Sequence, residues 1–99
     1  LEAAGYDVVG ETGDGKSGLR AARELSPDLV LLDVQLPDIT GFEVARRIHE
    51  QPDPPVIILI SSREAADYGT SIERSTAQGF ISKTELSARA VAAILEPEP

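Results

Sequence analysis

Pro27-Asp28-Leu29-Val30-Leu31-Leu32-Asp33-Val34-Gln35-Leu36-Pro37-Asp38-Ile39-Thr40-Gly41 is the stretch on which the reading of this sequence turns. Residues 29–32 are an unbroken apolar run, too short for a helix and bounded by Pro27 on one side and by Pro37 and Gly41 on the other. That is the pattern of a strand covered on both faces. The run closes on an acid, Asp33. In an open α/β sheet the carboxyl ends of the strands are where ligands collect, so Asp33 is placed for chemistry.

Working outward, residues 56–60 are a second fully apolar run, closing on Ser61 and Ser62, and residues 79–83 read as a shorter strand ending in Lys83. Helical patterns separate them. Residues 16–25 put Leu19, Ala22 and Leu25 near one face and stop at Ser26-Pro27, while residues 41–50 put Val44, Ala45 and Ile48 on one side of a surface helix. Residues 63–78 are polar, with Ala65, Ala66, Ile72 and Ala77 as their few apolar positions, and support no more than a weakly anchored helix. Thr84 is the expected cap of a last helix carrying Leu86, Ala90, Ala93 and Ile94 on its apolar side. At the amino end, Gly5 reads as the stop of a preceding helix turn and residues 6–10 as a short strand. The resulting strand–helix alternation predicts a parallel sheet wound by crossovers, with residues 1–95 as one domain and 96–99 as a tail or the start of a linker.

The composition agrees with that architecture. Of 99 residues, 41% are hydrophobic, yet only two are Phe, two Tyr and none Trp, so the core is built from Val, Ile, Leu and Ala. There is no cysteine, hence no disulfide and no thiolate metal site. A formal charge of -8 argues against this segment holding nucleic acid or an anionic membrane by itself, since both need a basic face. No apolar run approaches a bilayer span, and a cytoplasmic location is expected.

Asp33, Ser61 and Lys83 each end a strand, and in a parallel sheet those ends share one rim. An acid, a hydroxyl and an amine meeting there suit phosphoryl transfer to a carboxylate: Asp33 as nucleophile, Lys83 and Ser61 as stabilisers, a divalent cation neutralising oxygens. His49, the lone histidine, falls on the outer side of a helix and reads as solvated.

The chain resembles the receiver domains of response regulators over nearly its whole length. An acid closing an apolar strand, Pro four residues on and Gly eight residues on, as in Asp33, Pro37 and Gly41, is similar to the family's phosphoacceptor loop. Ser61, Lys83 and Phe80 stand where family members carry a hydroxyl, a lysine and, three positions before the lysine, a switching aromatic. The resemblance implies a flavodoxin-like doubly wound α/β fold, of strand order 2-1-3-4-5 when complete. It implies a phosphorylation-dependent switch that catalyses its own phosphoryl transfer and slow hydrolysis rather than a conventional enzyme. Magnesium would be held by Asp33 and the Gln35 carbonyl. Backbone N–H groups of Val34, Gln35 and Ser62 would face the phosphoryl oxygens, the side chains of Gln35 and Arg63 would tune the rate, and Ser61 and Phe80 would form the switch. The implied partners are a histidine kinase or phosphotransfer protein and an output domain or protein engaged through residues 65–95.

Two features depart from the family. Thr84 follows the lysine where members usually have Pro, and the first strand with its acidic pair is expected to be absent. That absence would leave a hole between residues 6–10 and 29–33, expose apolar edges open to homodimer formation, and weaken magnesium binding. Two other readings remain. Residues 10–17, Gly10-Glu11-Thr12-Gly13-Asp14-Gly15-Lys16-Ser17, satisfy the G-x-x-x-x-G-K-[ST] phosphate loop of a nucleotide-binding enzyme. Alternatively the chain keeps the receiver fold as an interaction module that is not phosphorylated.

Overall fold

The computed structural model describes residues 8, 9 and 14–95. Its centre is β2 (Leu29–Asp33), beside β3 (Val56–Ser61). Because side chains alternate along a strand, Val30, Leu32, Ile57 and Leu59 point to one face, where Ala22, Val44, Ala45 and Ile48 pack on them. Leu29, Leu31, Ile58 and Ile60 point to the other, under Ile81 and Val91. The first face is thus covered by α1 (Gly15–Leu25) and α2 (Gly41–His49), with Ile72 of the one-turn α3 (Ser71–Arg74) at its margin; the second lies under α4 (Ala88–Leu95). With β1 (Val8–Val9) and β4 (Gly79–Ser82), the described strands form a parallel sheet of order β1-β2-β3-β4.

The hole expected beside residues 29–33 is closed where β1 is described: Val8 pairs with Leu29 and Val9 with Val30. Buried backbone N–H and C=O groups must find partners, and the preceding strand supplies them to β2. The remainder of the strand expected at residues 6–10, the helix stop at Gly5 and the tail at 96–99 lie outside the described residues.

Local chemistry explains the helix boundaries. Asp14 caps α1 by accepting the Ser17 N–H at 2.7 Å. The Asp38 carboxylate, from the loop leaving β2, accepts the N–H groups of Gly15 at 2.7 Å and Lys16 at 3.1 Å. Two carboxylates therefore satisfy amides that a helix start leaves open. Leu25, expected on the apolar face, is 62% exposed; the buried stripe of α1 runs through Gly18 and Ala22 instead. The helix ends at Ser26, whose φ of 44° is left-handed, just ahead of Pro27. On α2, Thr40 caps by accepting the Glu43 N–H at 3.2 Å, and Glu43, Arg46, Arg47 and Glu50 form the expected solvated ion pairs.

Residues 63–78 differ from a single weak helix. A 3-10 turn at Ala65–Tyr68 and the short α3 are separated by Gly69, whose φ of 58° interrupts any continuous helix. After β4, Lys83–Glu85 form a second 3-10 turn, in which the Ser82 and Thr84 hydroxyls lie 3.0 Å apart. Thr84 is therefore used within this turn, and Ser87 takes the cap assigned to it, accepting the Ala90 N–H at 3.0 Å. Val91 is the fully buried residue of α4, flanked by Ala90, Ile94 and Leu95, whereas Ala93 is exposed. Ala93 stands about 200° around the helix from Val91, at 100° per residue, and so faces away.

Gly41 opens α2 hard against the end of β2. Its N–H donates to the Val34 carbonyl at 2.8 Å, and a Cβ here would lie 2.7 Å from Val34 Cα and against the Asp33 carbonyl oxygen. Backbone cannot step aside cheaply. Gly41→Ala is expected to destabilise the fold by about 1–3 kcal/mol, the usual range for overpacking. A urea midpoint that falls with an unchanged slope verifies this; an unchanged midpoint contradicts it.

The Asp38 carboxyl is held below its ordinary value of 3.8, chiefly by the Gly15 N–H, against an opposing desolvation, with Ile39 and Lys16 N–H groups adding to the lowering. A depressed native pKa stabilises fully above the unfolded value, and that contribution is lost as pH falls through the native one. The stability gap between parent and Asp38→Ala should accordingly be constant near neutrality and shrink in acid below 3.8. Parallel denaturation series across pH measure it, and a gap independent of pH would show that the carboxylate charge is irrelevant.

Candidate functional site

Strand register assembles the site. Asp33 pairs with Ile60, the residue before Ser61, and Ser61 pairs with Ser82, the residue before Lys83. All three side chains thus arrive at the same rim on neighbouring strands. Lys83 Nζ lies 2.6 Å from Asp33 Oδ2, with the two side chains 40% and 18% exposed. The other carboxylate oxygen, Oδ1, accepts the Gln35 N–H at 2.9 Å. Asp33 is therefore held by one ammonium and one amide while remaining open to solvent. Such a carboxylate is oriented and accessible, as a nucleophile must be.

Ser61 is fully buried, and its hydroxyl is engaged twice. It accepts the Arg63 N–H at 3.1 Å and lies 2.5 Å from the Tyr68 hydroxyl. Tyr68 is the residue that sequence reasoning missed. Its ring meets Phe42 edge-on at 5.3 Å and Phe80 at 5.8 Å between centroids. The available signal was an aromatic in an otherwise polar segment, but nothing in that segment's periodicity says which way it turns.

The remaining expected residues divide. Gln35, Ser62 and Arg63 are exposed at the rim, with the Gln35 amide on Asp33 and the Arg63 amide on Ser61. The Val34 N–H does not face the rim: it donates to the Ile60 carbonyl at 2.9 Å, continuing the sheet ladder, and so is not free for a phosphoryl oxygen. Phe80 reaches the site through Tyr68.

A divalent cation would find Asp33 and the Gln35 carbonyl here. Among the described residues no cluster of three His, Cys, Asp or Glu side chains is suited to a metal, and both oxygens of Asp33 are already engaged. Magnesium demands near-octahedral oxygen ligation, so these residues do not make its site by themselves.

The phosphate-loop reading fares worse. Its signature requires backbone N–H groups at the start of the helix to face phosphate, whereas those of Gly15 and Lys16 are taken by Asp38 and that of Ser17 by Asp14. Residues 10–13 of the motif lie outside the described residues. Carboxylates already occupy the anion position.

Comparison with known proteins agrees with the geometry. The family model for the response regulator receiver domain matches residues 1–95. The chain is 34% identical over 85 residues to the virulence-factor transcription regulator BvgA of Bordetella pertussis, covering 86% of this chain and 41% of that one. It is 38% identical over 80 residues to the response regulator GacA of Pseudomonas aeruginosa, covering 80% and 37%. It thus spans less than half the length of these curated relatives. Among solved structures, a LuxR-family two-component response regulator from Aurantimonas sp. SI85-9A1 superposes with a TM-score of 0.73 at 28% identity, covering 88% of this chain and 62% of that one. The receiver domain of a modulated diguanylate cyclase from Desulfovibrio desulfuricans G20, described as an example of alternate folding, gives 0.74 at 20% identity over 92% and 90%, a likeness of fold alone. An acid, a lysine and a buried hydroxyl on adjacent parallel strand ends, within a family match over 95 of 99 residues, leave one assignment: the chain belongs to the response regulator receiver domain family.

Proposed function

We propose that this chain is a phosphorylation-operated switch that accepts a phosphoryl group on Asp33 from a phosphohistidine donor. The supporting observation is the Lys83–Asp33 contact of 2.6 Å at a rim that also carries the buried Ser61 hydroxyl. In the transfer, an Asp33 oxygen forms the new bond to phosphorus as the phosphorus–nitrogen bond breaks and the donor imidazole leaves. Charge spreads over the phosphoryl oxygens as this happens. Lys83 already stands where that charge develops, and it can exchange its hold on the carboxylate for one on the phosphoryl group. Ser61 supplies a hydroxyl donor, and the amides of Gln35 and Ser62 supply two more. The exposed side chains of Gln35 and Arg63 flank the path of the water that later hydrolyses the acyl phosphate. Receiver domains generally bind magnesium, and such an ion would need ligands beyond Asp33 and the Gln35 carbonyl.

Ser61 and Phe80 form the switch in this proposal, and residues 65–95 are the surface it alters for an output domain or partner protein. The donor is a histidine kinase or phosphotransfer protein in the cytoplasm, and residues 1–95 are the working domain. Homodimer formation is a further part of this proposal. Among the described residues no helix is long and apolar enough to cross a membrane.

Labelling with a small acyl phosphate and magnesium tests the assignment in the intact protein. Asp33→Asn is expected to abolish a label that Lys16→Ala leaves intact. Labelling indifferent to Asp33→Asn overturns the site. No label on the parent itself favours the receiver-like interaction module, and ATP binding lost in Lys16→Ala would favour the phosphate loop.

Ser61→Ala should still be labelled, since the nucleophile is untouched. It removes one hydrogen bond to a charged acceptor, worth about 1.5–3 kcal/mol, from the activated state. An activated population unchanged by NMR would refute that coupling.

A further inference from the structure

Ser61 and Phe80 are the two ends of the proposed switch, yet Phe80 carries no hydroxyl and no hydrogen bond can join them. Tyr68 stands between, 2.5 Å from Ser61 Oγ through its hydroxyl and 5.8 Å from Phe80 between ring centroids. We infer that Tyr68 is the positioning residue of this switch, its hydroxyl reading the orientation of Ser61 and its ring passing that state to Phe80 and Phe42. The inference rests on the phosphoacceptor reading of Asp33 and adds a residue to it.

The hydrogen-bond inventory of Ser61 carries the step. A serine hydroxyl has one donor and two acceptor positions. The Arg63 N–H occupies one acceptor. In the contact with Tyr68, either hydroxyl can be the donor. A phosphoryl oxygen on Asp33 requires the Ser61 proton, and Ser61 can give it only if Tyr68 donates in turn to the remaining acceptor. Phosphorylation therefore selects one direction for the pair, a chain from Tyr68 O–H to Ser61 O–H to phosphoryl oxygen, whose members strengthen one another. No proton changes residue; only the orientation of the two hydroxyls is set.

The segment bearing Tyr68 is built to report that change. Across residues 62–70 every residue is exposed except Tyr68, so this one side chain ties the segment to the core. The turn itself is held as a unit, with the Glu64 N–H on Asp67 Oδ2 at 3.2 Å. On the far side, Phe42 belongs to α2 and Phe80 to β4. A shift of the Tyr68 ring is consequently felt by two elements and by the run from Ala65 to Arg74.

The test uses the intact protein, acetyl phosphate with magnesium, and tyrosine labelled with 13C at Cζ, the Tyr68 signal being identified as the one lost in Tyr68→Phe. On phosphorylation the Tyr68 Cζ signal should move in the parent and stay in place in Ser61→Ala. Tyr68→Phe, which keeps the ring between Phe42 and Phe80, should still be labelled on Asp33. Its ratio of switched to unswitched population, read from the amides of residues 65–74, should fall about tenfold, ~1.4 kcal/mol. An unchanged ratio in Tyr68→Phe, or a Cζ signal that ignores phosphorylation, overturns the role of Tyr68 and leaves the phosphoacceptor assignment standing. Labelling that survives Asp33→Asn overturns both.

Discussion

Leu29, Val30, Leu31 and Leu32 are each no more than 2% exposed although they alternate between two faces of the sheet, so β2 is covered on both sides. That constraint organises everything else. A strand buried in this way must be apolar along its length, and a polar side chain fits only where the covering helices end. Asp33, Ser61 and Lys83 are polar because they stand at that limit. The register of β2, β3 and β4 then brings three residues from distant parts of the sequence to one rim.

The contact between Lys83 and Asp33 has to be understood as placement more than as stability. Ion pairs at the surface contribute about 0–1 kcal/mol, because solvent screens the attraction and holding a long side chain costs entropy, and this pair is only partly withdrawn from water. The pair orients a carboxylate in water. Structural rigidity comes instead from backbone contacts beneath it, where the Gly41 N–H reaches the Val34 carbonyl and Val34 reaches Ile60. Soft charges above a stiff backbone suit the switch proposed for this site, in which occupancy changes the surroundings without unfolding them.

Asp38 and Tyr68 link that rim to the helices on one face of the sheet. Asp38 ties the loop leaving β2 to the first turn of α1, and Tyr68 ties the buried Ser61 hydroxyl to the ring cluster beside α2 and β4. Asp38 does so across 23 residues from the loop after β2, and Tyr68 across seven from the end of a 3-10 turn. A change of charge at Asp33 therefore has connections to the surface already in place.

Much of this protein was legible in its sequence. Apolar runs ending in Asp33, Ser61 and Lys83 named the buried strands and their polar ends, since covering a strand on both faces leaves few residue types available. Pro37 and Gly41 marked the loop after Asp33, and only glycine fits where α2 meets the backbone of β2. Partners were beyond its reach. That Tyr68 would bond Ser61, that Asp38 would cap α1, that the Val34 amide would serve the ladder, that Val91 rather than Ala93 would face the core, and that Val8 and Val9 would pair directly with β2 were decided by packing. The reason is physical: periodicity specifies which face of an element is apolar, whereas the direction of a side chain in a short turn, and the partner of a backbone amide at a strand end, depend on which other segment occupies the neighbouring space.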